Sequence, residues 1–384
     1  MVGTLTQLLD RPDPSTYIGK GKVEELRALI AEKDATVVIF DDELSPAQGK
    51  NLEEELGKRV IDRAELILDI FATRARSAEA RMQVELAQLE YSLPRLTRMW
   101  THLEKFRGGI GVRGPGETQL ETDRRLAGQR MKLLKDRLEE VTKARQVQRA
   151  SRAGSFRAAL VGYTNAGKSS ILRGIAGADE VFVEDRLFAT LDPLTREVAL
   201  GDRQSVLLTD TVGFIRKLPH HLVASFRATL EEVAEADLLL HVIDASHPTW
   251  EEQRLVVDDV LADLGVRHLP MVYLFNKIDR LEPEVQEALR QRIANLSPGS
   301  LFTSAATPGG LDPLRQRLLQ AVHERRPEAE VLVPMTNGRL LAEVHRLGEV
   351  TATATDEENG VLRIRGRFDP TALARLERDG AVRA

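Results

Sequence analysis

The residues best suited to chemistry stand in the string GYTNAGKSS, which begins at Gly162 directly after the apolar run FRAALV. In the pattern GxxxxGK[ST], small residues let backbone N–H groups surround a β-phosphate, and the start of the following helix adds its dipole. Lys168 can neutralise β- and γ-phosphate oxygens, and Ser169 can bind Mg²⁺. The string predicts a phosphate site formed by Gly162, Tyr163, Thr164, Asn165, Ala166, Gly167, Lys168, Ser169 and Ser170.

Two further segments are expected to respond to the γ-phosphate. The carboxylate of Asp210, at the end of the apolar run SVLLTD, can hold a water of the magnesium shell, and Gly213 can donate its N–H to the γ-phosphate. Between the motifs, LFATLDPLTRE offers Thr190, which we favour as the switch residue, and Thr195 as the alternative. These segments add Phe188, Ala189, Thr190, Leu191, Asp192, Asp210, Thr211, Val212 and Gly213 to the site. The predicted catalytic residues are Lys168, Thr190 and Gly213, and the predicted metal ligands are Ser169, Thr190 and Asp210.

The base is expected to be read by the string NKID, which follows a third apolar run. The carboxylate of Asp279 can accept both the N1–H and the exocyclic N–H of guanine, whereas adenine lacks this donor pair. A polar site rejects an analogue that leaves it unpaired by several kcal/mol, so the sequence predicts GTP rather than ATP. The predicted base site comprises Asn276, Lys277, Ile278 and Asp279, together with Thr303, Ser304 and Ala305 after a short strand.

Two details of this site bear on turnover. Phe214 stands directly after Gly213, where a glutamine commonly orients the attacking water. No side chain at that position can align water, so we expect slow intrinsic hydrolysis that a partner completes. Asn165 is a candidate for holding a monovalent cation such as K⁺ against the phosphates, although loop asparagines also serve turns.

Two helical segments with a 4-3 apolar spacing precede these motifs. Joined by a short turn, they predict a long antiparallel helical hairpin over residues 73–152, with coiled-coil packing and arms of roughly 45 Å. Pro94 is expected to kink the first arm. The apolar positions are Met82, Leu86, Leu89, Leu93, Leu96, Trp100 and Leu103 in the first arm, and Ala127, Met131, Leu134, Leu138 and Val141 in the second.

The predicted tip of the hairpin, residues 108–116, is rich in glycine, which leaves the backbone bare for close approach. Residues 71–152 hold 18 lysine and arginine residues against 10 acidic ones, whereas the whole chain has a net charge of −5. Such a local excess is typical of a region that meets phosphate backbones. Spacing alone leaves a loose connector and a probe for RNA equally open. The candidate RNA contacts are Arg107, Gly109, Gly111, Arg113, Gly114, Arg124 and Arg125.

The remaining segments predict two smaller units. Residues 1–72 have helical patterns in KVEELRALIAEK and near 47–56, with strands at 36–40 and 60–61, and form an N-terminal α/β subdomain. Residues 155–326 form the GTP-binding domain. Residues 330–384 predict a small C-terminal α/β domain with a hairpin turn at Asn359-Gly360. The fold class is therefore α/β: a P-loop, Ras-like G domain joined to these two units and the helical hairpin.

Composition excludes several other classes of protein. The chain has no cysteine, so neither a disulfide framework nor a thiolate metal site is possible. No apolar run approaches the roughly 20 residues that cross a bilayer, and the N-terminus lacks the pattern of a signal peptide. We expect a cytoplasmic protein with no membrane span.

The longer strings YIGKGK, GGIGVRGPGETQLETDRR, GYTNAGKS, LFATLDP and DTVGFI are more specific than the generic motifs. In these strings and in its order of domains, the chain resembles the HflX family of ribosome-associated GTPases. The resemblance implies a protein that binds the large ribosomal subunit in its GTP form, reaches ribosomal RNA near the peptidyl-transferase region, and separates stalled or idle ribosomes under stress. It also implies that Phe214 accompanies weak turnover that the ribosome stimulates. Lys168, Ser169, Thr190, Asp210, Asn276 and Asp279 match the family's nucleotide and Mg²⁺ positions. Little sequence precedes RPDPSTYIGKGK, where relatives usually carry further α/β structure.

Two other functions stay open at this point. One is a signalling-type GTP switch whose hairpin binds a protein partner, and the other is a GTPase of RNA assembly or modification. The basic segment with its Gly/Arg tip favours RNA, whereas a hairpin with apolar residues on two faces would favour protein contact. We expect a monomer.

Overall fold

The computed structural model describes residues 1–8, 10–96, 115–150, 155–177, 188, 191–201, 204–216, 232–357 and 359–383. In these ranges no helix combines the length and the apolar composition that crossing a bilayer requires.

The N-terminal unit packs two helices on a two-stranded parallel sheet. Its second helix begins with a capping box: the Ser45 hydroxyl accepts the Gln48 N–H, and the Gln48 side chain accepts the Ser45 N–H. The first strand is shorter than the predicted range 36–40. The order of elements is as predicted: α1 (Lys20–Lys33), β1 (Val37–Ile39), α2 (Pro46–Leu56) and β2 (Arg59–Ile61).

The next two helices pack on the central unit, which is the six-stranded sheet with its helices, residues 156–325. Helix α3 (Arg63–Arg74) was not predicted from the sequence, and Phe71 in its last turn is fully buried. Helix α4 (Ala78–Ser92) has two buried stripes instead of the one expected. Leu86 belongs to the predicted heptad stripe, whereas Ala80, Val84, Ala87 and Tyr91 pack into a core shared with α3 and the central unit.

Helix α5 (Pro115–Ala150) packs along α4, with Leu134 of the predicted stripe fully buried. The pairs Arg130–Glu85 and Lys135–Glu90 join the two helices. Pro94 lies in a short 3₁₀ helix, Leu93–Arg95, that follows the end of α4, because proline cannot donate a backbone hydrogen bond there. The predicted tip at 108–116 lies outside the described residues.

The central unit is a six-stranded sheet with strand order β4-β5-β3-β6-β7-β8. Strand β4 is antiparallel to β5, and the other neighbours are parallel. Parallel strands read as continuous apolar runs because helices cover both faces, and five of the seven β3 residues are consecutive and buried. The elements are β3 (Phe156–Gly162), α6 (Lys168–Ala176), β4 (Leu194–Gly201), β5 (Gln204–Asp210), β6 (Leu238–Asp244), α7 (Trp250–Asp263), β7 (Met271–Asn276), α8 (Pro283–Leu296), β8 (Leu301–Phe302) and α9 (Asp312–Arg325).

The C-terminal unit is a four-stranded sheet with order β10-β11-β9-β12, and its own core lies under two helices. Gly360 has a φ of 65° in the predicted turn between β10 and β11, a conformation that favours glycine. Strand β12 was not predicted. The elements are β9 (Glu328–Pro334), α10 (Gly338–Leu347), β10 (Gly348–Asp356), β11 (Val361–Phe368), α11 (Pro370–Arg378) and β12 (Val382–Arg383).

Candidate functional site

The phosphate loop joins β3 to α6 and depends on two glycines. A Cβ added to Gly162 would lie 2.3 Å from the Val242 carbonyl oxygen, and one added to Gly167 would lie 2.3 Å from Nδ2 of Asn276. Both positions also have positive φ, 153° and 99°, which side-chain-bearing residues rarely adopt. The loop therefore has the compact backbone that a phosphate cradle requires.

Lys168 is the first residue of α6, and only 6% of its surface is exposed. Its Nζ donates to the carbonyl oxygens of Gly162 and Tyr163, at 3.2 and 3.1 Å. Burial lowers the pKa of Lys168 to about 8, against an attraction to Asp210 that raises it and a repulsion from Lys277 that lowers it further. The ammonium thus lies in a site where a phosphate charge would stabilise it.

The donors for a magnesium ion come from the two predicted motifs. The Ser169 hydroxyl donates to Oδ2 of Asp210 at 2.6 Å, so a hydroxyl and a carboxylate oxygen converge at the ends of α6 and β5. Hard oxygen ligands are what Mg²⁺ prefers, and the pair fits it. Thr190 lies outside the described residues. Thr195 lies in β4, and its Oγ1 is 2.8 Å from Oγ1 of Thr209 on β5.

The segment after β5 folds back onto the phosphate loop. The Thr164 N–H donates to the Phe214 carbonyl at 2.7 Å, and the Phe214 N–H donates to the Gly162 carbonyl at 3.1 Å. A Cβ on Gly213 would lie 2.7 Å from Cα of Thr164. The hydroxyl of Thr211 donates to the Leu160 carbonyl at 2.7 Å. Gly213 therefore lies directly beside the loop that is predicted to hold the phosphates.

The predicted base site is assembled from the ends of β7 and β8. The Ser304 hydroxyl donates to Oδ1 of Asp279 at 2.6 Å and thereby orients the carboxylate. The Asn276 side chain donates to the Ala166 carbonyl at 2.9 Å, which ties this strand end to the phosphate loop. Thr303, buried next to it, donates to Oδ1 of Asn276 at 3.4 Å, and the partly buried Ala305 follows.

Lys277, with a φ of 62°, is held from both sides. Its Nζ donates to the carbonyl oxygen of Asn165 at 2.7 Å and to Oδ2 of Asp244 at 2.8 Å. Asp244, at the end of β6, was not predicted from the sequence to belong to the site. Its position could have indicated this, because ligands bind at the carboxyl ends of parallel strands. Ile278 begins a short 3₁₀ helix that places Asp279.

The nucleotide segments share one core with the helices α3 and α4. Phe188, Leu191, Val212 and Phe214 are all buried in the cluster that contains Phe71 and the second stripe of α4. The ring centroids of Phe188 and Phe71 lie 4.7 Å apart in an edge-on arrangement. From the sequence, Phe214 was singled out only as a residue that cannot align water, and nothing connected it with the helices.

Asp192 adds a polar link to the same helices. Its carboxylate accepts the backbone N–H groups of Arg76 and Ser77, at 3.3 and 3.1 Å, and the Ser77 hydroxyl also donates to it. No local pattern pointed to Ser77, since it stands 115 residues from Asp192 in the chain.

The candidate RNA contacts are placed only in part. Arg124 and Arg125 are exposed on α5, whereas Arg107, Gly109, Gly111, Arg113 and Gly114 lie outside the described residues, as does Ala189 of the switch segment.

Three family models match this chain. Residues 1–72 match the model described as GTP-binding GTPase N-terminal, and residues 74–152 match GTP-binding GTPase Middle Region. Residues 157–277 match the model described as 50S ribosome-binding GTPase.

Several curated proteins named GTPase HflX are similar over most of the chain. The protein from Magnetococcus marinus is 47% identical over 377 residues, which cover 97% of this chain and 86% of that protein. The Escherichia coli protein is 45% identical over 352 residues, 91% of this chain and 82% of its own length. Among solved structures, a GTP-binding protein from Sulfolobus solfataricus in complex with GDP is 26% identical, with 83% of this chain and 89% of that chain covered and a TM-score of 0.45.

Proposed function

Because this chain belongs to the HflX family of GTPases and is a GTP hydrolase, we propose that it binds the large ribosomal subunit in its GTP form and splits or rescues stalled or idle ribosomes under stress. The observation that carries the proposal is the core that the nucleotide segments share with α3 and α4. A change at the phosphates reaches the helices through side chains already in contact with them.

In the proposed chemistry, this chain's groups position the γ-phosphate and stabilise its charge. Lys168 neutralises the phosphate oxygens, and the N–H of Gly213, beside the phosphate loop, binds the γ-phosphate. Ser169, Asp210 and Thr190 would hold Mg²⁺, which would supply charge neutralisation for the phosphates. Asp279, oriented by Ser304, reads guanine.

We propose slow intrinsic hydrolysis that the ribosome stimulates. Phe214 is 2% exposed, and its ring lies in the core with α3 and α4, so its side chain does not face a position from which it could align water. A group supplied by the partner then completes the water's orientation. We also propose that Asn165, which is exposed in the phosphate loop, holds a potassium ion against the phosphates.

The proposed partner surface is the N-terminal part of α5, with Arg124, Arg125 and the predicted tip meeting ribosomal RNA near the peptidyl-transferase region. Exposed arginines on α5 support contact with phosphate. The second apolar stripe of α4 would have favoured a protein partner, but α3 and the central unit of the same chain cover it. A cytoplasmic monomer suits this role.

A light-scattering experiment with intact ribosomes tests the splitting function. The purified protein with GTP should lower the scattering of intact ribosomes as subunits separate, whereas GDP should leave it unchanged. If the protein instead binds intact ribosomes in both nucleotides without any loss of scattering, it does not split them. Tight binding of a soluble protein partner in GTP, with no effect on ribosomes, would favour the signalling switch.

A further inference from the structure

We propose that Asp192 is a positioning residue for GTP hydrolysis, through which the start of helix α4 controls the segment that contains the predicted switch threonine. The inference deepens the proposed function but rests only on its GTP-dependent movement of the helices, and not on ribosome binding.

The contact is made at the corner where α3 ends and α4 begins. Asp192 accepts the N–H groups of Arg76 and Ser77 and the Ser77 hydroxyl, so three donors from two consecutive residues converge on one carboxylate. Hydrogen bonds to a charged acceptor are roughly twice as strong as neutral ones. The corner therefore holds Asp192 at a fixed place.

Ser77 has two roles at once. It is the N-cap of α4, and its Oγ accepts the Ala80 N–H at 3.0 Å while its proton goes to Asp192. The negative charge of Asp192 also lies at the positive end of the α4 dipole. Any movement of Asp192 thus disturbs the first turn of α4, and any movement of α4 displaces Asp192.

A second contact involves Phe188, which precedes Thr190 in the sequence as Asp192 follows it. Phe188 packs edge-on against Phe71 of α3, and both rings are almost completely buried. In the sequence, Phe188 and Asp192 each stand two residues from Thr190. The α3–α4 corner therefore contacts Phe188 and Asp192, which flank the predicted magnesium ligand Thr190 in the sequence.

Helix α3 also reaches the segment after Gly213. Arg63, its first residue, donates from Nη2 to the Arg216 carbonyl at 3.0 Å. One rigid helix thus contacts both segments that are predicted to sense the γ-phosphate. Thermodynamic linkage is reciprocal. If bound GTP shifts the equilibrium between two positions of the helices, a ligand that shifts the same equilibrium changes the affinity for GTP by the same factor.

The test uses spin labels on the intact 384-residue chain, which contains no cysteine. Cysteines at exposed positions, Gln129→Cys on α5 and Ala288→Cys on α8, allow the distance between the helices and the GTP domain to be measured by pulsed EPR. The parent should give different distances in GDP and in a non-hydrolysable GTP analogue. Asp192→Ala and Ser77→Ala should each abolish that difference and lower the intrinsic kcat about tenfold, with KM for GTP within twofold.

Two variants separate positioning from a loss of folding. Asp192→Asn keeps an acceptor for the backbone N–H groups and should retain most of the nucleotide-dependent shift. Asp263→Ala removes an exposed carboxylate at the end of α7 and should behave as the parent. If Asp192→Ala fails to fold, Ser77→Ala decides. A nucleotide-dependent distance that survives Ser77→Ala or Asp192→Ala, or that is absent in the parent, would overturn the inference, whatever the protein does on ribosomes.

Discussion

The Ser304 hydroxyl lies 2.6 Å from a carboxylate oxygen of Asp279 and donates to it. The two residues follow different strands and stand 25 positions apart in the chain, and we propose that together they present an acceptor to the purine edge.

Asp279→Asn should weaken GTP binding on the order of a hundredfold and strengthen binding of xanthosine triphosphate, because one acceptor becomes a donor. Ser304→Ala leaves the carboxylate and should cost only about tenfold. Competition binding with a fluorescent guanine nucleotide measures both. Unchanged GTP affinity in the Asp279 variant would remove its role in reading the base.

GTP binding should depend on pH through Lys168. Burial lowers its pKa to about 8, and bound phosphate charge raises that pKa again, so above pH 8 binding takes up a proton. Affinity should therefore fall as pH rises from 8 to 9.5, by at most about tenfold per pH unit. Calorimetry at pH 9 in two buffers of different ionisation enthalpy counts the protons. Binding without proton uptake at pH 9 would show that Lys168 keeps the same charge in the free and the bound protein, against this prediction.

Gly213→Ala should lower the kcat of GTP hydrolysis at least tenfold. The new Cβ would meet Cα of Thr164 at 2.7 Å, a backbone atom that cannot rotate away, so the contact between the two segments must open. Gly128→Ala, on α5 with open space around it, is the matched control and should raise the free energy of unfolding by about 0.8 kcal/mol. Equal kcat in both variants would mean that the approach of Gly213 to the loop is not needed.

Replacement of Arg113, Arg124 and Arg125 by alanine should weaken binding to large ribosomal subunits and reduce its salt dependence, while GTP affinity stays the same. Each lost phosphate contact lowers the slope of log K against log salt by about 0.7 to 0.9. The control removes the same charge from Arg267, Arg339 and Arg383, which are exposed on other units. Equal slopes of log K against log salt for the parent and the triple-arginine variant would show that these arginines contact no phosphate.

The nucleotide motifs could be read from the sequence because each needs particular residue types at fixed local spacing, directly after an apolar strand. The motif specifies glycine at positions 162 and 167. The structure shows the reason, because a Cβ at either position would collide with a neighbouring strand end. In the N-terminal unit, the order α1, β1, α2 and β2 followed from periodicity in the same way.

The side-chain contacts between the units could not be predicted from local sequence patterns. Helix α3 was missed because its apolar residues complete a core with partners more than 100 positions away, such as Phe188. The hydrogen bonds from Ser77 to Asp192 depend on where α4 packs against the central unit, and no local sequence pattern indicates that position. Thr195 was kept as an alternative switch residue, and only the pairing of β4 with β5 showed its bond to Thr209.

The most direct measurement is sedimentation of the protein with purified large ribosomal subunits in three conditions: a non-hydrolysable GTP analogue, GDP, and no nucleotide. The protein should travel with the subunit in the GTP analogue and remain at the top of the gradient in GDP. A protein that stays at the top in all three conditions, or that travels with the subunit equally in all three, would contradict GTP control of a ribosome-binding helix pair.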